Sequence, residues 1–404
     1  MNMNGERFPS RLCPVCNSDR SKLLFRQSFE QLSDMRLLDG YDVVICEECG
    51  MGFADRVPTQ AAFDEYYRDL SKYEDRDGSR QPSPVVEQRF RDIAASIADF
   101  IPRRDASILE VGCASGGLLK ALQERGFSRV AGVDPSPACV HTARTVFGIP
   151  AMIASLFTLP PPEEPYDFLI LTGVLEHIRD LDKAVEQFHR LLQPAGRIYL
   201  EVPDASRYVA SLDAPFQEFS LEHINFFSTQ SLSNLMQSRG FRLLSASATI
   251  RPLHEVTCPC TYGVFERHFE QIPISRDHET EAGLRAYVQG CQQEDAQVRR
   301  RIEQSIPSGG SIIVWGVGTH TLRLLATGGL DPHKIAVFVD SNPKYRNREV
   351  RGIPVVSPED LGPRPEPILI STRSFQREIH DQIRHTLGLP NPVILLYGST
   401  CGIE

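Results

Sequence analysis

Nowhere in the 404 residues do about 18 apolar residues run together, the length a bilayer-spanning helix needs. Basic runs are also missing, and a net charge of −9 gives no positive footprint for nucleic acid. The opening stretch MNMNGERFPSRL lacks the apolar segment of an export signal. No two histidines have the H-x-x-x-H spacing of a helical metal site. The ten cysteines do not read as a disulfide framework: four fall in C-x-x-C pairs and the rest are scattered, as suits a reducing compartment. A membrane protein, a nucleic-acid binder and a disulfide-stapled secreted domain are thereby argued against, and a cytoplasmic protein is expected. At 41% hydrophobic and 24% charged, the chain has ample core for two or three domains.

The most informative stretch runs from Ile108 to Pro137. Ile108, Leu109 and Val111 read as a buried strand that breaks at Gly112. A small-residue turn follows to Gly116 and Gly117, Leu118–Arg125 has helical spacing, and Val130–Val133 is a second strand ending at Asp134. Strand, glycine turn, helix, strand, acid is half of a doubly wound nucleotide-binding fold. The turn reads E-x-G-x-x-x-G, with Glu110, Gly112 and Gly116, and with Ala114 where a second glycine often sits. A dinucleotide fingerprint, G-x-G-x-x-G, aims a helix N-terminus at a pyrophosphate. A cationic ligand without phosphate tolerates an acid beside the turn, as Glu110 is here.

Ahead of this domain, Cys13-Pro-Val-Cys16 and Cys46-Glu-Glu-Cys49 form two knuckles, with 17–45 between them. Each turns two thiolates toward one point, and four soft sulfurs satisfy tetrahedral zinc with no open position, a structural rather than a catalytic site. The long separation predicts a β-hairpin. Tyr66, Tyr67 and Tyr73 then lie on a tyrosine-rich segment whose spacing reads as a helix packing face. The polar, breaker-rich stretch 75–84 reads as a connector or lid. Val85–Phe100 reads as a helix leading into the central domain.

Further along, Ala151–Ala154 is a short strand followed by Ser155 and Leu156, and Tyr166–Leu171 is a buried strand with Glu176 and His177 just past its end. Ligands bind outside the carboxyl ends of strands in open α/β sheets, which puts His177 on the expected rim. The box Phe219-Ser-Leu-Glu222-His223-Ile-Asn-Phe-Phe-Ser228 pairs an acid with an imidazole. A near-neutral imidazole suits a general base, and a neighbouring carboxylate can orient it. The alternative is that Glu222 and His223 merely cap a helix beginning near Ser228.

Together EVGCASGG, the acid in VDPS and the VLEH after YDFLIL resemble class I S-adenosylmethionine (SAM) methyltransferases. Carried over residue by residue, the resemblance implies that Glu110, Gly112, Ala114 and Gly116 line the methionine and ribose part of SAM. It also implies that Asp134 holds the ribose hydroxyls, that Ser155 and Leu156 border the adenine, and that Tyr73 joins the cofactor site. The order of zinc ribbon, methyltransferase and E-H-x-x-x-F-S box, followed by a second Rossmann-like unit, is similar to the sugar C-methyltransferases, which act on nucleotide-linked keto-deoxysugars. The resemblance implies His223 as the base that removes a proton α to a ketone, with Glu222 and His177 as helpers. The sequence departs from that family at Ser220, where the family has a tyrosine that shares in proton handling; this leaves carbon or oxygen open as the methyl acceptor. An O-methyltransferase and a catalytically idle scaffold are the other readings, with a nicotinamide oxidoreductase behind them.

The C-terminal part restarts the pattern: Ser311–Trp315 as strand, Gly316-Val-Gly318 as turn, Leu322–Ala326 as helix, and Ile335–Val339 as a strand ending at Asp340. Thr319, His320 and Ser371–Ser374 are its polar groups most suited to face a substrate. Glu266–Ile306 is charge-rich with helical periodicity and reads as a linking helix. The expected organisation is α/β throughout: a zinc-binding unit with a tyrosine-rich helix (1–72), a Rossmann-like SAM-binding domain (73–250), and a linker helix with a second Rossmann-like domain (251–404). The expected cofactors are SAM and structural zinc, and the expected partner is a small molecule, a nucleotide sugar.

Overall fold

The computed structural model describes residues 8–33, 37–70, 83–211, 213–253, 255–306 and 309–398. Tyr73 and nearly all of the expected connector (75–84) lie outside them. Among the described residues the strands form three sheets, one for each expected unit.

The N-terminal sheet contains β1 (Ser21–Ser28), β2 (Gly40–Cys46) and β3 (Gly52–Asp55). β1 and β2 are the antiparallel hairpin that fills the space between the knuckles, with Ser21 opposite Cys46. Two helices follow, α1 (Gln60–Leu70) and α2 (Pro84–Ala98), the second opened by Ser83, whose hydroxyl accepts the Val86 N–H.

The central domain then winds β4 (Ile108–Val111), α3 (Gly117–Glu124), β5 (Val130–Asp134), α4 (Pro137–Thr145), β6 (Ala151–Ile153), β7 (Tyr166–Thr172), α5 (Leu181–Leu191) and β8 (Leu192–Pro203). After it come the two-residue β9 (Asn225–Phe226), α6 (Thr229–Gln237), β10 (Phe241–Leu253) and β11 (Val256–Arg267). The central sheet has the order β10-β11-β8-β7-β4-β5-β6. β8, β7, β4, β5 and β6 run parallel, and β11 and β10 return antiparallel. β4 is the switch point, with β5 on one side and β7 on the other, where an open α/β sheet forms its crevice. The sheet runs past residue 250, where the expected boundary lay, because β10 and β11 form one hairpin whose second strand registers on β8.

The linking helix is α7 (Thr280–Ser305), shorter at its start than the charge pattern suggested because residues up to Arg267 complete the sheet. Leu284, Tyr287, Cys291, Val298 and Ile302 form its buried face. The C-terminal domain follows with β12 (Ile312–Trp315), α8 (Thr319–Ala326), β13 (Ile335–Val339), β14 (Glu349–Val350), β15 (Ile353–Val356), β16 (Ile368–Ile370), α9 (Gln376–Asp381) and β17 (Val393–Leu395). Its order is β14-β15-β13-β12-β16-β17, parallel except for β14.

The three units share their cores. One apolar cluster joins Val43 and Phe63 of the N-terminal unit, Tyr287 of α7, and Val314 and Phe338 of the C-terminal sheet. Another joins Cys13, Cys49 and Phe53 to Val111, Leu169 and Leu200 of the central sheet. The knuckles are therefore packed against the central domain rather than tethered to it.

Candidate active site

A cavity of about 740 Å³ opens at the carboxyl ends of β4, β5 and β7. Glu110, Gly112, Ala114, Asp134, Ser155 and Leu156 all line it, as does His177. The glycine turn is shaped as its sequence suggests. Gly112 has φ +76°, and a Cβ there would stand 2.6 Å from Val174 Cγ2. Ala114 occupies the left-handed region at φ +44°, a conformation that costs an ordinary residue roughly 1–2 kcal/mol. Asp134 holds that turn: one carboxylate oxygen accepts the Ala114 N–H at 2.9 Å and the other the Ser136 N–H at 2.9 Å. Gly116 does not line the cavity. It opens α3 with φ +82°, and a Cβ on it would press on Ile149 and Ala143.

Glu110 is 3% exposed, and its Oε2 has no hydrogen-bond partner. Burial, and secondarily the neighbouring Asp134, push its pKa up to about 8. The buried carboxyl therefore holds its proton near neutral pH, and a cation placed beside it would favour the ionised form. Ser155 is engaged locally: its hydroxyl accepts the Phe157 and Thr158 N–H groups at 3.3 Å each. Arg89 of α2 also reaches this cavity. Its guanidinium lies 3.9 Å from the buried Glu201, and its Nε has no hydrogen-bond partner.

The acid–imidazole box stands at the mouth of this cavity. His177 Nδ1 is 2.8 Å from the Tyr67 hydroxyl and 3.0 Å from the Glu222 carbonyl oxygen. With its proton on Nδ1 the ring donates to that carbonyl; with Nδ1 bare it accepts from Tyr67. The His223 ring meets His177 edge-on, centroids 5.0 Å apart, and its Nδ1 lies 4.0 Å from Glu218. His223 is on neither cavity wall, but 17% of its side chain is exposed. The Tyr66 hydroxyl donates to Glu222 Oε1 at 3.3 Å. Ser220 turns its hydroxyl back onto the box, accepting the Glu222 N–H at 3.3 Å and the His223 N–H at 3.1 Å. The helix-cap alternative for Glu222 and His223 is answered here: α6 is capped by Ser228 and Ser231.

Tyr66 and Tyr67 pack against the shared core, as their spacing suggested, and their hydroxyls also reach Glu222 and His177. Two adjacent tyrosines put one hydroxyl on Glu222 of the box and the other on His177 because α1 passes across the mouth. The only sequence signal was the pair itself, since no local pattern brings residue 67 to residue 177.

A second cavity, about 1120 Å³, lies at the carboxyl ends of β12 and β13 and reaches back to Tyr66 and Glu222. Phe375 and Glu378 border both cavities. Asp340 repeats the work of Asp134: its carboxylate accepts the Val317 N–H at 2.8 Å and the Asn342 N–H at 2.7 Å. Thr319, Thr372, Arg373 and Ser374 line this cavity. His320 touches its wall but is 4% exposed and hydrogen-bonded to Tyr397 at 2.7 Å. Burial lowers its pKa to about 3, so it stays neutral and structural.

The four sulfurs of Cys13, Cys16, Cys46 and Cys49 lie within 4.8 Å of one another. Cys13–Cys49 and Cys16–Cys46 are each 3.5 Å apart, spacings a tetrahedral thiolate shell accommodates.

Residues 85–246, which carry most of the first cavity's lining and the whole of the box, match the methyltransferase domain family. This stretch is a class I SAM-dependent methyltransferase domain. A C-methyltransferase from Streptomyces niveus, NovU, is 25% identical to this methyltransferase over 373 residues, 86% of this chain and 83% of its own. A ubiquinone biosynthesis O-methyltransferase from Xylella fastidiosa is 26% identical over 148 residues, 35% of this chain and 58% of its own. The SAM-bound magnesium protoporphyrin IX methyltransferase of Synechocystis overlays on 52% of this chain and 96% of its own, with 17% identity and a TM-score of 0.37. No described helix is long and apolar enough to cross a membrane.

Proposed function

We propose that this methyltransferase acts on a nucleotide-linked keto-deoxysugar and methylates it at carbon, with His223 as general base. The supporting observation is the junction itself. An acid–imidazole cluster with two tyrosine hydroxyls stands between a SAM-sized cavity and a second, larger cavity that its own sheet supplies. The Streptomyces niveus relative, matched over 86% of this chain, is named a C-methyltransferase.

SAM, when bound, supplies an electrophilic methyl group. Gly112 and Ala114 would let it approach the backbone, Asp134 would take the ribose hydroxyls, and Leu156 and Ser155 would border the adenine. Glu110 would face its positive charge. His223 removes the proton α to the acceptor ketone, and the resulting enolate carbon takes the methyl group as its bond to sulfur breaks, leaving neutral S-adenosylhomocysteine. Glu218, beside His223, stabilises the imidazolium that forms. Tyr67 and the Glu222 carbonyl fix the His177 ring, and Tyr66 holds the Glu222 carboxylate. In the second cavity, Arg373 and the amino end of α8 suit the phosphates of a nucleotide sugar. The four cysteines would hold a structural zinc ion. The protein's setting is taken to be the cytoplasm, in sugar biosynthesis.

Ser220 favours a second reading. Its hydroxyl is committed to capping the box, so no phenol acts from that position, and His223 would then deprotonate a sugar hydroxyl for O-methylation. Deuterium exchange separates the two. Incubated in D₂O with S-adenosylhomocysteine and nucleotide-linked keto-deoxysugars, a C-methyltransferase washes deuterium into the position α to the ketone. Methyl transfer to the same compounds with no such exchange would assign the O-methylation reading.

A further inference from the structure

The box that carries Glu222 and His223 is laid along the N-terminal sheet as if it were another of its strands. Gln27 of β1 donates to the Phe219 carbonyl at 2.9 Å, and Tyr41 of β2 donates to the Ser220 carbonyl at 2.8 Å. At the other end of the box, the Ala54 N–H donates to the Ile224 carbonyl at 2.9 Å, and β9 pairs with β3, Asn225 opposite Phe53 and Phe226 opposite Gly52. The sheet that begins with the cysteine knuckles therefore holds both ends of the catalytic loop.

At the centre of this arrangement are two buried side chains that the chemistry does not use. Arg11 is 7% exposed and Asn225 is 1% exposed. The Arg11 guanidinium donates to the Ile224 carbonyl at 3.2 Å, the Arg179 carbonyl at 2.7 Å and Asn225 Oδ1 at 2.9 Å. Its own N–H donates to Asp55 at 2.6 Å, which fixes it to the end of β3. The Asn225 amide nitrogen spends both hydrogens on the other loop, donating to the Leu175 carbonyl at 2.8 Å and the Ile178 carbonyl at 2.7 Å. Those two residues flank Glu176 and His177. The Ile224 N–H completes the link by donating to the Glu176 carbonyl at 2.8 Å.

We infer that Arg11 and Asn225 form a positioning clamp that sets the two active-site histidines relative to one another and to the N-terminal sheet. The inference rests on the assignment of His223 and His177 to the reaction. One amide holds both loops: its main chain follows His223 by two residues, and its side chain grips the turn that carries His177. A hydrophobic residue could fill the same volume but would release three hydrogen bonds and leave the Leu175 and Ile178 carbonyls to find other donors. Displacing a catalytic group by about 1 Å can cost about a hundredfold in rate. Neither residue touches either cavity wall, so cofactor affinity does not depend on them directly.

The test uses Asn225→Ala, Asn225→Asp and Arg11→Lys in the full chain. Asn225→Asp keeps an acceptor for Arg11 but cannot donate to the two carbonyls, so it separates grip on the His177 turn from attachment to the sheet. The expected result for both Asn225 variants is a kcat about a hundredfold lower, with affinity for S-adenosylhomocysteine within threefold and zinc content unchanged. Arg11→Lys keeps the charge without the planar fork and falls between these and the parent. In histidine-labelled samples the ring resonances of His177 and His223 shift in the Asn225 variants, while those of the exposed His278 and His333 stay in place. A folded Asn225→Asp protein with the parent kcat, or with unmoved His177 and His223 resonances, would overturn the clamp. His223→Ala with unchanged turnover would overturn the base assignment instead, and the resonance shifts would still judge the clamp by geometry alone.

Discussion

The buried carboxyl of Glu110 makes cofactor affinity depend on pH in a direction that can be worked out. Without ligand its pKa is raised to about 8, by burial first and by Asp134 second, so at pH 7 it is about nine-tenths protonated. In the proposed placement, SAM brings positive charge to this wall and favours the ionised carboxylate. If binding returns the group to its ordinary value of 4.5, each SAM bound at pH 7 expels roughly 0.9 of a proton. Affinity then rises about tenfold per pH unit between pH 6 and 7, nearly a hundredfold in total between pH 6 and 9, and levels off above pH 8. The sign follows from the raised pKa: the proton held by the free protein must leave, so alkaline conditions help. Isothermal calorimetry in two buffers of different ionisation enthalpy counts that proton directly. The amino group of SAM titrates in the same range, but it does so equally with Glu110→Gln, and the difference between the proteins isolates the carboxyl. Equal proton release from parent and Glu110→Gln would refute the reasoning.

Other perturbations have equally definite outcomes. Gly112→Ala puts a Cβ 2.6 Å from Val174 at a φ of +76°, so SAM affinity falls at least tenfold by calorimetry and stability drops by about 1–3 kcal/mol in denaturant titration. Tyr67→Phe removes the hydroxyl 2.8 Å from His177 Nδ1, lowering kcat about tenfold while SAM affinity stays within twofold. Cys46→Ser removes one of four converging sulfurs; on the proposal that these hold zinc, metal analysis finds the zinc content of the parent lost in the variant, and because Cys46 belongs to the core shared with the central sheet, thermal melting falls by an amount worth several kcal/mol.

The parts that could be read from the sequence are those whose physics is local. Glu110 to Asp134 is a strand, a turn, a helix and a strand in a row, each with its own periodicity, and the C-terminal repeat from Ile312 to Asp340 obeys the same grammar. The cysteine knuckles declare themselves by spacing and by the sulfur chemistry of zinc. Contacts between distant segments left no such trace. Arg11 reaches a carbonyl 213 residues away, and Tyr67 meets a histidine 110 residues away. The short β9 exists only because β3 lies beside it, and two residues carry no periodicity. The boundary at 250 failed for the same reason: the charge-rich pattern after Glu266 was legible, but the pairing of β11 with β8 that retains Val256–Arg267 in the central sheet was not. Gly116 illustrates a subtler limit. Its place in the motif suggested ligand contact, whereas its left-handed backbone serves the start of α3.

The central claim is that His223 acts on the acceptor and not on the cofactor. The measurement that tests it most directly compares parent and His223→Ala for methyl turnover and for affinity to S-adenosylhomocysteine. Turnover abolished in the variant, with affinity retained within a few-fold, is the predicted result. Turnover equal to the parent's would remove His223 as the base.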